Sequence, residues 1–166
     1  MKKRTAIIGA LVSLLPIGKP LVIGTGTVLT SAAVMFAVHE TAQAESAQFY
    51  FDRGYKKGEE GDYYGAISDY SKAIEINPRD AVAYYNRGLA KGELKDYYGS
   101  IADYSKAIEI NPRDSQAYYN RGLAKRRSGD NYGAISDYSK AIEINPKKLE
   151  AYVNRGVAKR RSGDNY

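Results

Sequence analysis

Between residues 81 and 94 the chain has no proline and carries apolar side chains at helical spacing. Val82, Tyr85 and Leu89 fall on one side of such a helix, and Tyr84 and Gly88 on another. The string ELKDYYG then breaks the pattern. A second helical run is predicted from about Tyr98 to Ile110, with Ile101, Tyr104, Ala107 and Ile108 as its apolar stripe. Asp96 is its predicted N-cap, because a carboxylate there accepts from the free N–H groups of the first turn. Asn111-Pro112 closes it, since proline disfavours helical geometry in the residue before it. The segment therefore predicts two antiparallel helices joined by tight turns.

The same pattern returns every 34 residues. AYYNRGLAK stands at 83–91 and again at 117–125, and AYVNRGVAK stands at 151–159. DYSKAIEINP stands at 69–78, 103–112 and 137–146. Three full units follow, at 47–80, 81–114 and 115–148, with a half unit at 149–166. One helix pair cannot bury both its faces, whereas stacked pairs complete a common core, so an all-α solenoid is predicted. Gly54, Gly88, Gly122 and Gly156 fall inside the first helix of each unit, where glycine costs about 1 kcal/mol relative to alanine. Their fixed register predicts close packing, with Ala73, Ala107 and Ala141 as the matching small residues. The half unit reads as a truncated or contracted array.

The first 44 residues follow other rules. MKKR places three positive charges at the start, and 21–38 is an uncharged run of 18 residues, about one hydrocarbon thickness if helical. Ala42-Gln43-Ala44 has the small-x-small form of a signal-peptidase site. The segment is expected to be a cleaved signal peptide or an uncleaved anchor spanning 21–38. Lys2, Lys3, Arg4 and Lys19 all precede that run, so both readings place the repeats on the non-cytoplasmic side: periplasmic, lumenal or extracellular; a re-entrant pair of helices, a third option, would return them to the cytoplasm.

Composition narrows the chemistry. There is no Cys, which rules out a disulfide framework, a thiolate nucleophile and a zinc–thiolate site. The one His, His39, lies in the leader, so the repeats lack the commonest general base. No carboxylate pair departs from the repeat pattern. An enzyme is not expected, and no cofactor or metal is called for. Outside the leader, 21 Lys and Arg stand against 18 Asp and Glu, a weak pointer to nucleic acid or lipid.

The 34-residue period with Tyr84, Gly88, Tyr97, Tyr104, Ala107 and Pro112 resembles the tetratricopeptide repeat family, over 47–166. The resemblance implies a right-handed superhelix whose first helices line a concave groove for a peptide or helix of a partner. Departures are Arg53, Arg87, Arg121 and Arg155, where the family usually has an aliphatic residue, and Lys57, Lys91, Lys125 and Lys159, where an aromatic is common. Ser100 replaces the alanine kept at Ala66 and Ala134.

In that family the position of Asn86, Asn120 and Asn154, held by Asp52 in the first unit, faces the groove. A similar Asn ladder grips peptide backbone in O-linked N-acetylglucosamine transferases. An amide side chain matches a peptide unit whatever its side chain; the same Asn residues could instead bond between neighbouring helices. Phe51, Tyr85, Tyr119 and Val153, then Tyr55, Leu89, Leu123 and Val157, lie beside them. Asp69, Asp103 and Asp137 are possible partners for Arg53, Arg87 and Arg121. The dicarboxylate clamp of chaperone adaptors is matched only by Asn86, since Phe51, Tyr55, Gln116 and Asn120 hold its other places. No specific grip on an acidic C-terminal tail is therefore expected. Arg126, Arg127, Arg160 and Arg161 replace Gly58, Glu59, Gly92 and Glu93 of the earlier units, so the groove is expected to run from acidic to basic. The leading expectation is a non-enzymatic scaffold. Self-assembly through the unfinished repeat, and electrostatic binding of nucleic acid or an anionic surface by the Arg pairs, are the alternatives.

Overall fold

The computed structural model describes residues 46–163, together with the backbone of 21–23 and 27–29. The chain divides into two compact units, Met1–Gln43 and Ala44–Tyr166. In the first, strands β1 (Leu21–Ile23) and β2 (Thr27–Leu29) pair antiparallel, with Leu21 opposite Leu29 and Ile23 opposite Thr27. The sequence predicts one continuous apolar span over 21–38, but its described stretches are extended. Their β-branched Val22, Ile23, Thr27 and Val28 suit a pleated pair. The rest of that run and the Ala42-Gln43-Ala44 site lie outside the described residues. Among the described residues no helix is long and apolar enough to cross a membrane.

The described residues of the second unit form helices joined by turns. Its seven helices are α1 (46–59), α2 (Tyr63–Ile76), α3 (Ala81–Glu93), α4 (Tyr97–Ile110), α5 (Ser115–Arg127), α6 (Asn131–Ile144) and α7 (Leu149–Ser162). From α2 onward each helix packs on the next, and α5 also touches α7, which is the solenoid arrangement of helix pairs. Aspartates begin the helices. Asp62, Asp96 and Asp130 accept from the backbone N–H of Gly65, Gly99 and Gly133 at the heads of α2, α4 and α6. Asp80 and Asp114 do the same for α3 and α5, each accepting two N–H bonds. Lys148 stands in that place before α7, which has no side-chain cap bond.

The turn inside each pair needs a left-handed residue. Gly61 and Gly129 supply it at φ 82° and 94°, and Lys95 holds the same place in the second repeat at φ 62°. A Cβ is strained there, so Lys95→Gly is expected to stabilise the fold by about 0.5–1 kcal/mol. A rise of a few degrees in the thermal midpoint is the readout, and a fall would show that the lysine side chain contributes more than the strain costs.

The core is made of small residues and tyrosines. Ala66, Ala83, Ala117, Ala134 and Ala151 are fully buried, and Tyr70, Tyr104 and Tyr138 are nearly so. The helical glycines are closely packed, but their partners differ from the expectation. A Cβ on Gly54, Gly88 or Gly122 would come within 3.1, 2.9 and 2.8 Å of the rings of Tyr70, Tyr104 and Tyr138. Ala73 and Ala107 serve another contact: each joins an isoleucine and the first-helix alanine of the next repeat, Ala83 or Ala117. Tyrosine three residues earlier lies on the same side of the helix, and its flat ring fills the space beside the glycine. A Cβ on Gly156 meets nothing within 4 Å.

Candidate functional site

The first helices of the pairs, α1, α3, α5 and α7, carry the face singled out in the sequence. Asn86, Asn120 and Asn154 come to it with Phe51, Tyr85, Tyr119, Leu89 and Leu123, while Asp52 is exposed and accepts from Gln48 at 2.7 Å. Two of the asparagines are tied into the array. Asn120 donates to the Tyr85 hydroxyl at 2.7 Å, and Asn154 donates to the Tyr119 hydroxyl at 3.1 Å and to the Glu150 carbonyl at 2.9 Å. Asn86 has no such partner one repeat back, because Phe51 stands where the others find a tyrosine hydroxyl. It donates instead to its own helix, to Val82 O at 2.8 Å. The ladder is therefore structural at two positions and more open at the third.

The aromatic row is shared between surface and core. Phe51, Tyr85 and Tyr119 pack their rings on Tyr70, Tyr104 and Tyr138 at centroid distances of 5.6, 5.7 and 5.8 Å. Burial raises the phenol pKa of Tyr70 to about 12 and raises those of Tyr85, Tyr104, Tyr119 and Tyr138 as well. All five are neutral at physiological pH and keep both donor and acceptor capacity. Leu89 and Tyr55 are 37% and 51% exposed, so apolar surface remains on this face.

Beneath it runs an ion-pair lattice. Asp103 accepts from Arg87 Nε and Nη2 at 2.9 and 2.7 Å and faces Lys91 Nζ at 2.8 Å. Asp137 holds Arg121 and Lys125 in the same way, and Asp69 holds Arg53 and Lys57. The second guanidinium edge reaches back one repeat, from Arg87 to Ser71 and from Arg121 to Ser105, both at 3.0 Å. In the first three repeats the arginine and lysine departures from the family pattern are thus one feature: both serve the same buried carboxylate. Arg155 repeats the backward bond, to Ser139 at 3.3 Å, and lies over the Tyr152 ring. Ser100 donates to the Gly88 carbonyl at 2.8 Å, so its buried hydroxyl is satisfied.

Charge changes sign along the ends of the first helices. Glu59 ends α1 and Glu93 ends α3, whereas Arg126 and Arg127 end α5 and Arg160 and Arg161 lie in the last turn of α7. Arg127 lays its guanidinium over the Tyr97 ring, 6.0 Å from the centroid. Arg160 and Arg161 are exposed. Among the described residues, Arg126 Nε, Asn131 Oδ1 and Tyr138 Oη are buried without a hydrogen-bond partner.

A cleft of about 290 Å³ opens where the first and second repeats meet. Tyr55, Glu59, Tyr63, Tyr70, Asn86, Leu89 and Glu93 line it. Reading the groove one position at a time misses it, because its walls come from α1, α2 and α3 together. The usable signal is Phe51, where the next two repeats have Tyr85 and Tyr119, together with Glu59 and Glu93, where the later repeats have Arg127 and Arg161.

The family model described as a TPR repeat matches residues 54–95, and the one described as a tetratricopeptide repeat matches 81–114 and 115–148. No curated protein matches the chain. Solved structures do. The first TPR of Spaghetti (RPAP3), bound to the HSP90 peptide SRMEEVD, is 26% identical with a TM-score of 0.70, over 72% of this chain and 94% of that one. The second TPR domain of human RPAP3, in complex with the HSP70 peptide SGPTIEEVD, is 27% identical with a TM-score of 0.66, over 72% and 98%. MamA is 26% identical with a TM-score of 0.71, over 81% and 80%.

Proposed function

Because this chain belongs to the tetratricopeptide repeat family, we propose that it is a non-enzymatic scaffold that holds an extended segment of a partner protein. The array is taken to coil right-handed, with α1, α3, α5 and α7 lining its concave groove. One observation carries the reading: the part-exposed apolar and amide side chains Tyr55, Asn86 and Leu89 line one cleft, Leu123 holds the place of Leu89 one repeat on, and ion pairs tie the helices that carry them. A rigid frame of this kind lowers the ordering cost that a partner must otherwise meet. The RPAP3 domains supply precedent for peptide binding on this fold. Their acidic peptides do not suit this groove, whose clamp positions hold Phe51, Tyr55, Gln116 and Asn120 and whose first half ends in Glu59 and Glu93. The basic segment preceding 21–38 supports placing the repeats on the non-cytoplasmic side of a membrane.

The test is selection of phage-displayed random decapeptides on the full chain. Selected peptides are then measured by fluorescence anisotropy on Asn86→Ala/Leu89→Ala/Leu123→Ala. At least tenfold weaker binding with unchanged helicity is expected. Unchanged affinity, or no selected peptide, overturns the reading.

A second reading has its own observation. Leu149 and Val153 of α7 are 72% and 66% exposed, beside the open space at Gly156. That face suits a second copy of the chain. Light scattering that shows the monomer mass at all concentrations would dismiss it.

A further inference from the structure

We propose that the cleft between the first and second repeats receives the guanidinium of an arginine in the partner segment. This deepens the groove reading and rests on it. The repeat itself displays the occupant. At the next junction Arg127 sits over Tyr97, 6.0 Å from the ring centroid. One repeat earlier Tyr63 stands in the place of Tyr97, and Tyr70 in the place of Tyr104, so the aromatic wall is kept. The place of Arg127, however, is taken by Glu93. The chain thus provides the same wall and puts a carboxylate where its own cation would have been.

Three features give that wall a preference for a cation from outside. Glu59 and Glu93 both line the cleft, and neither is in an ion pair among the described residues. Both sit at the C-terminal ends of their helices, where the backbone dipole disfavours a carboxylate, so they do not serve helix stability. Tyr55, Tyr63 and Tyr70 line the same cleft, and the face of a phenol ring attracts a cation that two carboxylates would hold. A planar guanidinium can stack on a phenol ring and bridge carboxylates at once, which a lysine ammonium cannot do as well. Asn86 then has a use. Lacking the tyrosine partner that Asn120 and Asn154 have, it keeps one N–H and its carbonyl oxygen for the peptide unit beside the arginine.

The same panning separates this inference from the reading beneath it. Decapeptides selected on the full chain are expected to be enriched in arginine. Replacing that arginine by the neutral isostere citrulline is expected to weaken binding at least tenfold, as is Glu59→Gln/Glu93→Gln in the protein. Glu93→Arg is expected to lay its own side chain over Tyr63, as Arg127 does over Tyr97, and to abolish the enrichment with helicity unchanged. Peptides selected without arginine, and indifferent to these variants, would leave the groove standing and overturn the arginine receptor. Equal affinity for lysine in place of arginine would overturn the guanidinium assignment. If no peptide is selected, both readings fall.

Discussion

Replacing Asp103 with alanine is expected to lower the free energy of unfolding by about 3–5 kcal/mol, the cost typical of breaking a buried ion pair from one side. Asp103 is 5% exposed at its side chain and holds two cations at once, Arg87 and Lys91, which are themselves only 18% and 20% exposed. Removing it leaves both charges facing each other with little water to screen them. It also unfastens Arg87, whose other edge is bonded to Ser71, so the second repeat loses part of its tie to the first. The surface pair Lys106–Glu109 is the control, because both partners are more than half exposed. Glu109→Ala is expected to change stability by less than about 0.5 kcal/mol. Urea titration followed by circular dichroism measures both. A loss below about 1 kcal/mol for Asp103→Ala would mean that the lattice is solvated and that the frame owes its rigidity to something else.

Acid should undo the pairing of Asp69 with Arg53 in a defined window. The hydrogen bond from Arg53 is the main cause holding the Asp69 carboxyl down at about 2, against burial, which pushes it up. A carboxylate depressed in the folded state adds stability that is complete above about pH 4 and disappears as the pH falls toward 2.

The second large effect is a pair of opposite signs at equivalent glycines. Gly122→Ala is expected to cost about 1–3 kcal/mol, because the new Cβ would lie 2.8 Å from the ring of Tyr138, which is fully buried. Gly156→Ala puts the same methyl in the same register of α7, where it meets nothing within 4 Å. There only the helical preference for alanine acts, and a gain of about 1 kcal/mol is expected. Denaturant midpoints for the two variants decide the matter. Losses at both sites would make the glycine a backbone requirement, and gains at both would show that the tyrosine ring yields.

Much of this architecture is legible along the chain because the repeat states it several times. The 34-residue period, the breaks at NPRD and the Asp caps locate the helices to within a residue or so: 81–94 was expected where α3 covers Ala81–Glu93, and 98–110 where α4 covers Tyr97–Ile110. The Arg–Asp pairing was readable too, from the constant spacing of 16 residues. Other features were not. Tyr104 rather than Ala107 meets Gly88, because which of two residues on the same helical side touches a neighbour depends on side-chain direction and helix spacing. Whether Asn86 behaves like Asn120 depends on residue 51, which is 35 positions away in sequence and in contact only once α1 and α3 are side by side.

Local pattern therefore determines this protein's helices, their ends and their stacking order, since capping, turn geometry and apolar periodicity all act within a few residues. The character of its surface comes from elsewhere. The cleft walled by Tyr55, Tyr63 and Tyr70 and rimmed by Glu59 and Glu93 exists only where three helices converge. The division of the asparagines into bonded and open ones arises between repeats. Both depend on burial and on distances between side chains far apart in sequence, and those are quantities that packing sets.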